Sequence, residues 1–536
     1  MTQPNSNYII SSYIKYLPAI LWSSETDPTQ FLGRMLCIFE QILTGIPEDE
    51  AAINDYEPLE KTIDKLPEIL NPWRTPAKFL PWLATWVALD LRDDWSEYQQ
   101  RKFISQIMSI YQQRGLKQGL LTYLDIYAAT EAKPRIAIDD SEAIFRANLA
   151  TDEISKLHAI AYSHTVSDIG VLLHPTALAV DSNNNYIVAD RGGQEDNKTW
   201  LPALWKVSST GEIPYTGMSP QPIYSGDILK NPVAVVIDNQ NQYYVLTEGE
   251  ENTQYTPAIY RFISSTNNIA SQPITVINNL QVAKPVDMVM VLDTSANPPK
   301  KRFICLDKGD PFDNNKPPKI IIITEGNPAQ VERQQVLNLG EGIELTAMTI
   351  DAQGRLIIAN AQDRNSQEPA DIIRIDPQNN WSITSLLTTV DPSKNPLIYP
   401  TGLVLENSQS LLVCDTGVRS GFQGNITNKS MAEPAAIYRL DLSQTTPTIT
   451  KITDERKLIN PSKIVLDKNG QLVIAERGAA NENREWRARN HEFGVIVLFS
   501  QQRATSVDIR NQIRFDIEKV INEQKPAHTS WSMNLA

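Results

Sequence analysis

The sequence predicts a multidomain α + β protein: a helical N-terminal part, an all-β six-bladed propeller, and a C-terminal strand-helix-strand segment that completes the first part. Three observations predict it. Between residues 13 and 129 apolar residues recur with a helical period. From about residue 165 a strand–turn–strand unit is repeated six times. After residue 500 the helical period returns, in a stretch ending EKVINEQKPAHTSWSMNLA.

In the N-terminal part, Phe31, Leu32, Met35, Leu36, Phe39 and Ile42 make the first apolar stripe, and Leu59, Ile63 and Leu66 the second. Phe79, Leu80, Leu83, Trp86 and Val87 make a third, with Thr75-Pro76 as the expected N-cap and first helical residue. A long amphipathic helix is predicted over 96–113, closed by Gly115 at the left-handed position. A further helix is expected over 117–127, and KPRIAI (133–138) alternates as a strand.

The repeats read HPTALAVDSNNNYIVAD from His174, NPVAVVIDNQNQYYVLT from Asn231, KPVDMVMVLD from Lys284, ELTAMTIDAQGRLIIAN from Glu344, YPTGLVLENSQSLLVCD from Tyr399 and NPSKIVLDKNGQLVIAE from Asn460. Third strands are expected at ALWKV, AIYRF, KIIII, DIIRI, AIYRL and GVIVLF, and fourth strands at 381–387 and 446–452. Six units of four strands are the arithmetic of a six-bladed propeller. Residues 490–500 suit two positions: the third strand of blade six, or the strand opening the closing segment. Ile154 to Ala161 is expected to supply the missing outer strand of that blade, so that the insert begins near 152.

At 536 residues and 21% charged, the chain is expected to fold as more than one soluble domain. Its formal charge of −14 argues against nucleic acid or an anionic membrane as main partner. No apolar run reaches the ~20 residues of a bilayer span, and MTQPNSNYIISSY lacks the pattern of a secretory signal. Cys37, Cys305 and Cys414 are expected as reduced thiols of a cytoplasmic protein.

The N-terminal residues carry a resemblance. YLPA (16–19), FLGRML (31–36), FLPWLATW (79–86) and YQQRGLKQGL (111–120), with Arg101 between the last two, resemble the phage tail protein I family, with Leu116 standing where Thr is usual. Its members are baseplate wedge components of contractile phage tails and phage-tail-like injection systems. The resemblance implies that KPAHT (525–529) is the severed end of the same domain, in three stretches: 1–150, an inserted propeller over 151–500, and 501–536. The repeat itself resembles the NHL type. Ile513, Ile517, Val520 and Ile521 form one stripe that must be buried, with Phe515 off it. The strand TSWSM is expected beside 134–138.

The resemblance further implies a non-enzymatic structural subunit, joined to a larger baseplate wedge protein and neighbouring wedges, with sheath or spike-hub proteins as possible contacts and the propeller as an accessory module toward a surface ligand. It would be made in the cytoplasm and built into a particle or virion. Trp82, Trp86, Arg101, Arg114 and His528 are the expected protein-interface residues. The long connections after the second strands carry Trp200, Tyr255, Phe312, Phe422, Trp486 and Arg487, candidates for a partner-binding face. The five histidines form no zinc-type pair, and no catalytic, cofactor or metal residue is assigned. Asp190, Thr247, Asp307, Asn360, Asp415 and Glu476, at equivalent strand ends, either hold Ca²⁺ as in a lactonase-like propeller or bind backbone amides.

Overall fold

The computed structural model describes residues 10–21, 30–44, 59–92, 95–127, 135–149, 157–166, 169–195, 198–251, 253–263, 273–278, 280–294, 297–310, 313, 315–339, 343–362, 368–417, 434–444, 446–453, 457–478, 492–498 and 507–535. The chain divides into two compact units, 1–113 and 114–536.

The first unit is helical. Helix α1 spans Phe31–Thr44, α2 Leu59–Asp64, α3 Leu66–Ile69, α4 Leu80–Trp86 and α5 Glu97–Gln112. The start of α4 is later than the sequence suggests: after Thr75-Pro76 the chain makes a 3₁₀ turn at Ala77–Phe79, and Pro81 enters the first α turn, where its missing N–H costs nothing. Helix α5 begins where expected. Ser96 caps it, with the Ser96 and Gln99 side chains each accepting from the other's backbone N–H. Leu80, Leu83 and Ala84 of α4 are buried, as are Phe103, Ile104, Ile107 and Ile110 of α5. Trp95 meets Phe103 edge-on at 5.0 Å.

In the second unit the propeller has six four-stranded sheets. The innermost strands are Pro175–Val180, Pro232–Ile237, Pro285–Asp293, Leu345–Ile350, Pro400–Asn407 and Pro461–Leu466. Each touches the next, and the sixth returns to the first, so the ring is closed. Both faces of each blade are buried, and six apolar clusters each join two neighbouring blades. Tyr243 and Val245 face blade one while Tyr244 and Leu246, on alternate positions, face blade three. That double burial explains why the second strands read as continuous apolar runs.

The seam of the ring corrects the sequence reading. Strand β1 is Arg135–Asp139, β2 Glu142–Asn148, β3 His158–Tyr162, β4 Pro461–Leu466, β5 Gln471–Glu476, β6 Glu492–Leu498 and β7 Ser530–Leu535. Blade six runs β4, β5, β2, β3 outward. Both outer strands therefore come from the N-terminal side, with Ile144 opposite Ala475 and Ala147 opposite Leu472. The third strand is β2, not residues 490–500, and blade residues begin at Glu142 rather than near 151. The reason is burial: Ala143, Ile144, Phe145 and Ala147 are all inaccessible to solvent and suit a blade interior. Strand β3 covers the second half of the stretch expected as the outer strand, from His158 to Ala161.

Strand β6 instead joins a three-stranded sheet in the order β1–β6–β7, antiparallel to β1 and parallel to β7. The TSWSM strand thus lies beside 492–498, one place removed from β1. Parallel strands need a crossover, and α7 (Val507–Gln524) supplies it. Ile513, Ile517, Val520 and Ile521 are buried, whereas Phe515 is 64% exposed. Helix α6 (Lys117–Tyr127) packs on α7 and β1. Arg114 donates to the carbonyl of Glu523, and Pro526 lies beside Gly115. The RG turn and the KP turn, far apart in sequence, meet. Only Asp140 and Ser141 separate β1 from β2, and Lys117 of α6 pairs with Glu142 at the start of the blade.

Ile517→Ala is expected to destabilise the α6–α7 layer by about 2–5 kcal/mol. Hydrogen exchange should then show 507–524 opening before the blades.

Candidate functional site

Each blade contributes the same arrangement to one mouth of the central channel. The polar residue ending the second strand is buried in all six. Asp190 accepts N–H bonds from His174 and Gly192, Asp307 from Ala283, Lys284 and Gly309, and Asp415 from Ile398, Tyr399 and Gly417. Glu476 accepts from Ile459, Asn460 and Gly478, and Asn360 from Glu344 and Gln362. Thr247 donates to the Ala258 carbonyl. Of the two sequence readings, the backbone one describes these groups: all but Thr247 hold the start of the innermost strand against the turn after the second.

The residue two places further on has positive φ in every blade: Gly192, Gly249, Gly309, Gln362, Gly417 and Gly478. A Cβ on Gly309 would stand 2.4 Å from the Lys316 carbonyl oxygen. A D-x-G spacing at Asp190, Asp307 and Asp415 marks this turn in the sequence. Between strands one and two a second Asx turn recurs, Asp181, Asp238, Asp351 and Asp467 each accepting from the N–H groups two and four residues on.

Two places inside the mouth, the innermost strands carry Ala177, Ala234, Asp287, Ala347, Gly402 and Lys463. Asp287 and Lys463 belong to opposite blades and form an ion pair across the channel. Asp287 also accepts from Met288 and Met348 backbone N–H groups. Aligning the repeats could have found it, since a charge replaces a small residue in only these two. Hydroxyls at the preceding position tie blades together: Thr176 to the Pro232 carbonyl, Thr401 to Pro461 and Ser462 to Pro175.

Of the expected interface residues, Trp82 and Trp86 are 42% and 64% exposed. Their rings meet edge-on at 4.9 Å, and Phe79 lies 6.3 Å from Trp82. Arg101 is an internal brace instead: it binds Glu97 at 2.6 Å and the Pro72 carbonyl at 2.6 Å, which leaves its guanidinium mostly covered. Arg114 is spent on the C-terminal end of α7, where a cation also suits the helix dipole. His528 is exposed in the turn before β7.

Trp200 is buried, at the end of a small hairpin of Gly193–Glu195 and Lys198–Trp200, with its ring beside Gly170. It therefore pins its loop and does not present a ring to a partner. Tyr255 is half-buried, its carbonyl accepting from Glu250. Phe312, Phe422, Trp486 and Arg487 lie outside the described residues. Cys305 and Cys414 are buried free thiols, and burial pushes the Cys414 pKa up to about 12. Among the described residues no His/Cys/Asp/Glu group is arranged to hold a metal, and no helix is long and apolar enough to cross a membrane.

The architecture and this geometry define a β-propeller in a chain whose N-terminal part is helical. Residues 48–134 match the family described as phage tail protein (Tail_P2_I), which supports a structural role in a phage tail. No curated protein matches the chain. Similar solved structures include an aldose sugar dehydrogenase from Streptomyces coelicolor at 10% identity, TM-score 0.31, covering 56% of this chain and 86% of that one. A virginiamycin B lyase from Staphylococcus aureus matches at 13%, TM-score 0.31, covering 57% and 95%. An α-L-arabinofuranosidase from Fusarium graminearum matches at 8%, TM-score 0.36, covering 55% and 85%. These are propellers without being NHL propellers specifically. They correct the expectation of a non-enzymatic chain: the solved matches are mostly enzymes, so that expectation is withdrawn. At such identities their activities remain their own.

Two stability tests follow from the mouth. Asp287→Ala strands the Lys463 ammonium and is expected to cost about 3–5 kcal/mol in denaturant unfolding, with much of it restored in Asp287→Ala/Lys463→Ala. Gly309→Ala should cost about 1 kcal/mol or more, because both φ and the Lys316 carbonyl oppose a Cβ.

Proposed function

We propose that this protein is a baseplate wedge subunit of a contractile phage tail or phage-tail-like injection system, docking onto a larger wedge partner and carrying the propeller as an accessory interaction module. The observation that carries the reading is an apolar surface within the family-matched stretch. Trp82 and Trp86 on α4 and Tyr98 and Met108 on α5 are exposed there, on helices that also carry buried residues, and Trp73, in the turn before α4, is exposed beside Tyr98. A surface of this composition is typical of a protein interface, and Trp and Tyr are the residues that most often dominate binding.

The layer of β1, β6, β7, α6 and α7 supports the second half of the reading. The propeller enters and leaves it at β2 and β5, neighbours in one blade, so the insert leaves the layer's own pairing intact. With two residues between β1 and β2 and the Lys117–Glu142 pair beside them, the propeller is bolted to that layer on this side. Such a module would follow any rearrangement of the wedge that carries it.

Trp82→Ser/Trp86→Ser is expected to leave the helical content unchanged and to reduce incorporation into purified baseplates at least about tenfold, the loss of a typical hot spot. Wild-type incorporation by that variant would overturn the docking surface. Replacing 142–478 by a short linker should leave a chain that still enters baseplates; failure of that chain, with the propeller alone incorporated, would reverse the roles.

A further inference from the structure

Blades six and one meet at their outer edges around a cleft of about 490 Å³, within the size range of small-molecule sites. One wall is β3 and the chain just after it, with Ile160, Tyr162 and His164; the other is the segment leaving the third strand of blade one, with Glu212, Ile213 and Tyr215. The backbone fixes both walls. Gly211, which also lines the cleft, has a φ of 91°, and a Cβ there would stand 1.7 Å from the Ile160 carbonyl oxygen. The two blades therefore touch main chain to main chain at this point, where only glycine fits. The Ser208 hydroxyl accepts from the N–H groups of Thr210 and Glu212, and Arg146 donates to the Ser209 carbonyl at 2.6 Å, which holds the loop in place. Ile160 and Ile213 pack against the apolar cluster shared by the two blades, so the cleft has an apolar base.

The polar groups around that base are mainly acceptors. His164 Nδ1 lies 3.2 Å from the Tyr162 carbonyl oxygen, and its Nε2 lies 3.2 Å from the Tyr215 hydroxyl. A carbonyl only accepts, so in the neutral ring Nδ1 carries the proton and Nε2 is the acceptor. The Tyr215 O–H is then spent on His164, and its oxygen lone pairs are left for a ligand. Glu212 adds a carboxylate that makes no hydrogen bond or ion pair with another described residue. Burial pushes the Tyr162 phenol above its usual range, and the charges of Glu142, itself paired with Lys117, and of Asp140 add to the rise. The Tyr162 and Tyr215 side chains are 49% and 51% exposed, so both rings are accessible.

We propose that this cleft binds a small organic cation, a primary ammonium group on an aliphatic stem. The nitrogen donates to the Glu212 carboxylate and the Tyr215 oxygen, and the stem lies on Ile160 and Ile213. Tyrosine rings suit a cation in the same place through the negative charge of their faces. An anion would meet a carboxylate and a hydroxyl whose proton is already engaged.

The test uses the full chain at about pH 8, where a histidine is ordinarily neutral. Ligand-observed NMR follows n-butylammonium chloride and its neutral counterpart n-butanol, with sodium chloride matching the ionic strength. Saturable binding is expected for the ammonium alone. It should be about fivefold or more weaker in Glu212→Gln and in Tyr215→Phe, which keeps the ring, and unchanged in Glu60→Gln on α2. Nα-acetyl-lysine amide separates the two sources of such a group: binding tighter than butylammonium names a peptide lysine, and weaker binding a free amine. No saturable binding of the ammonium, equal binding of butanol, or wild-type affinity in either Glu212→Gln or Tyr215→Phe would overturn the site.

Discussion

The antiparallel pairing of β2 with β5 is the contact on which the second unit depends. It joins residues more than 300 apart in sequence and places Ile144, Phe145 and Ala147 in the interior of blade six. Without it the sixth blade would have two strands, and the clusters on its two sides would lose Ala143, Ile144 and Ala161 on one and Phe145, Ala147 and Leu157 on the other. A ring of blades has no free edge only if it closes, and a closure made from both ends of the insert resists opening more than one made within a single hairpin. The same pairing holds the ends of β1 and β6 near each other, and the β1–β6–β7 sheet continues from there.

Much of this was legible in the sequence, and the failures have physical causes. The six repeats, their turns and the buried stripe on α7 follow from periodicities of two and 3.6. The seam did not. GVIVLF is an apolar β-branched run that suits a blade interior or a small sheet equally well, and its pairing is decided by partners far away in the chain. Residues 142–148, EAIFRAN, mix helix formers and strand formers, so their place as a third strand was hidden until β5 supplied the other half. The order in the small sheet was missed for a related reason: parallel pairing of β6 and β7 follows from the α7 crossover, and no local pattern in TSWSM announces it.

The polar residues at the second-strand ends show how a repeated carboxylate can suggest a metal and serve the backbone. Asp190, Asp307, Asp415 and Glu476 each take two or three N–H donors, so their charge is held by amide dipoles at a turn that every blade must make. The residues that differ between blades say more about function than those that recur. Asp287 and Lys463 replace small residues, and Trp82 and Trp86 break the polarity of a helical surface. Each departs from what the fold alone requires.

Native-state hydrogen exchange on the full chain tests the closure most directly. The account predicts that the amides of 144–148 and 472–475 exchange in one cooperative step, as slowly as the interiors of the other blades. Exchange of 144–148 at the rate of an exposed loop, with 472–475 still protected, would contradict it.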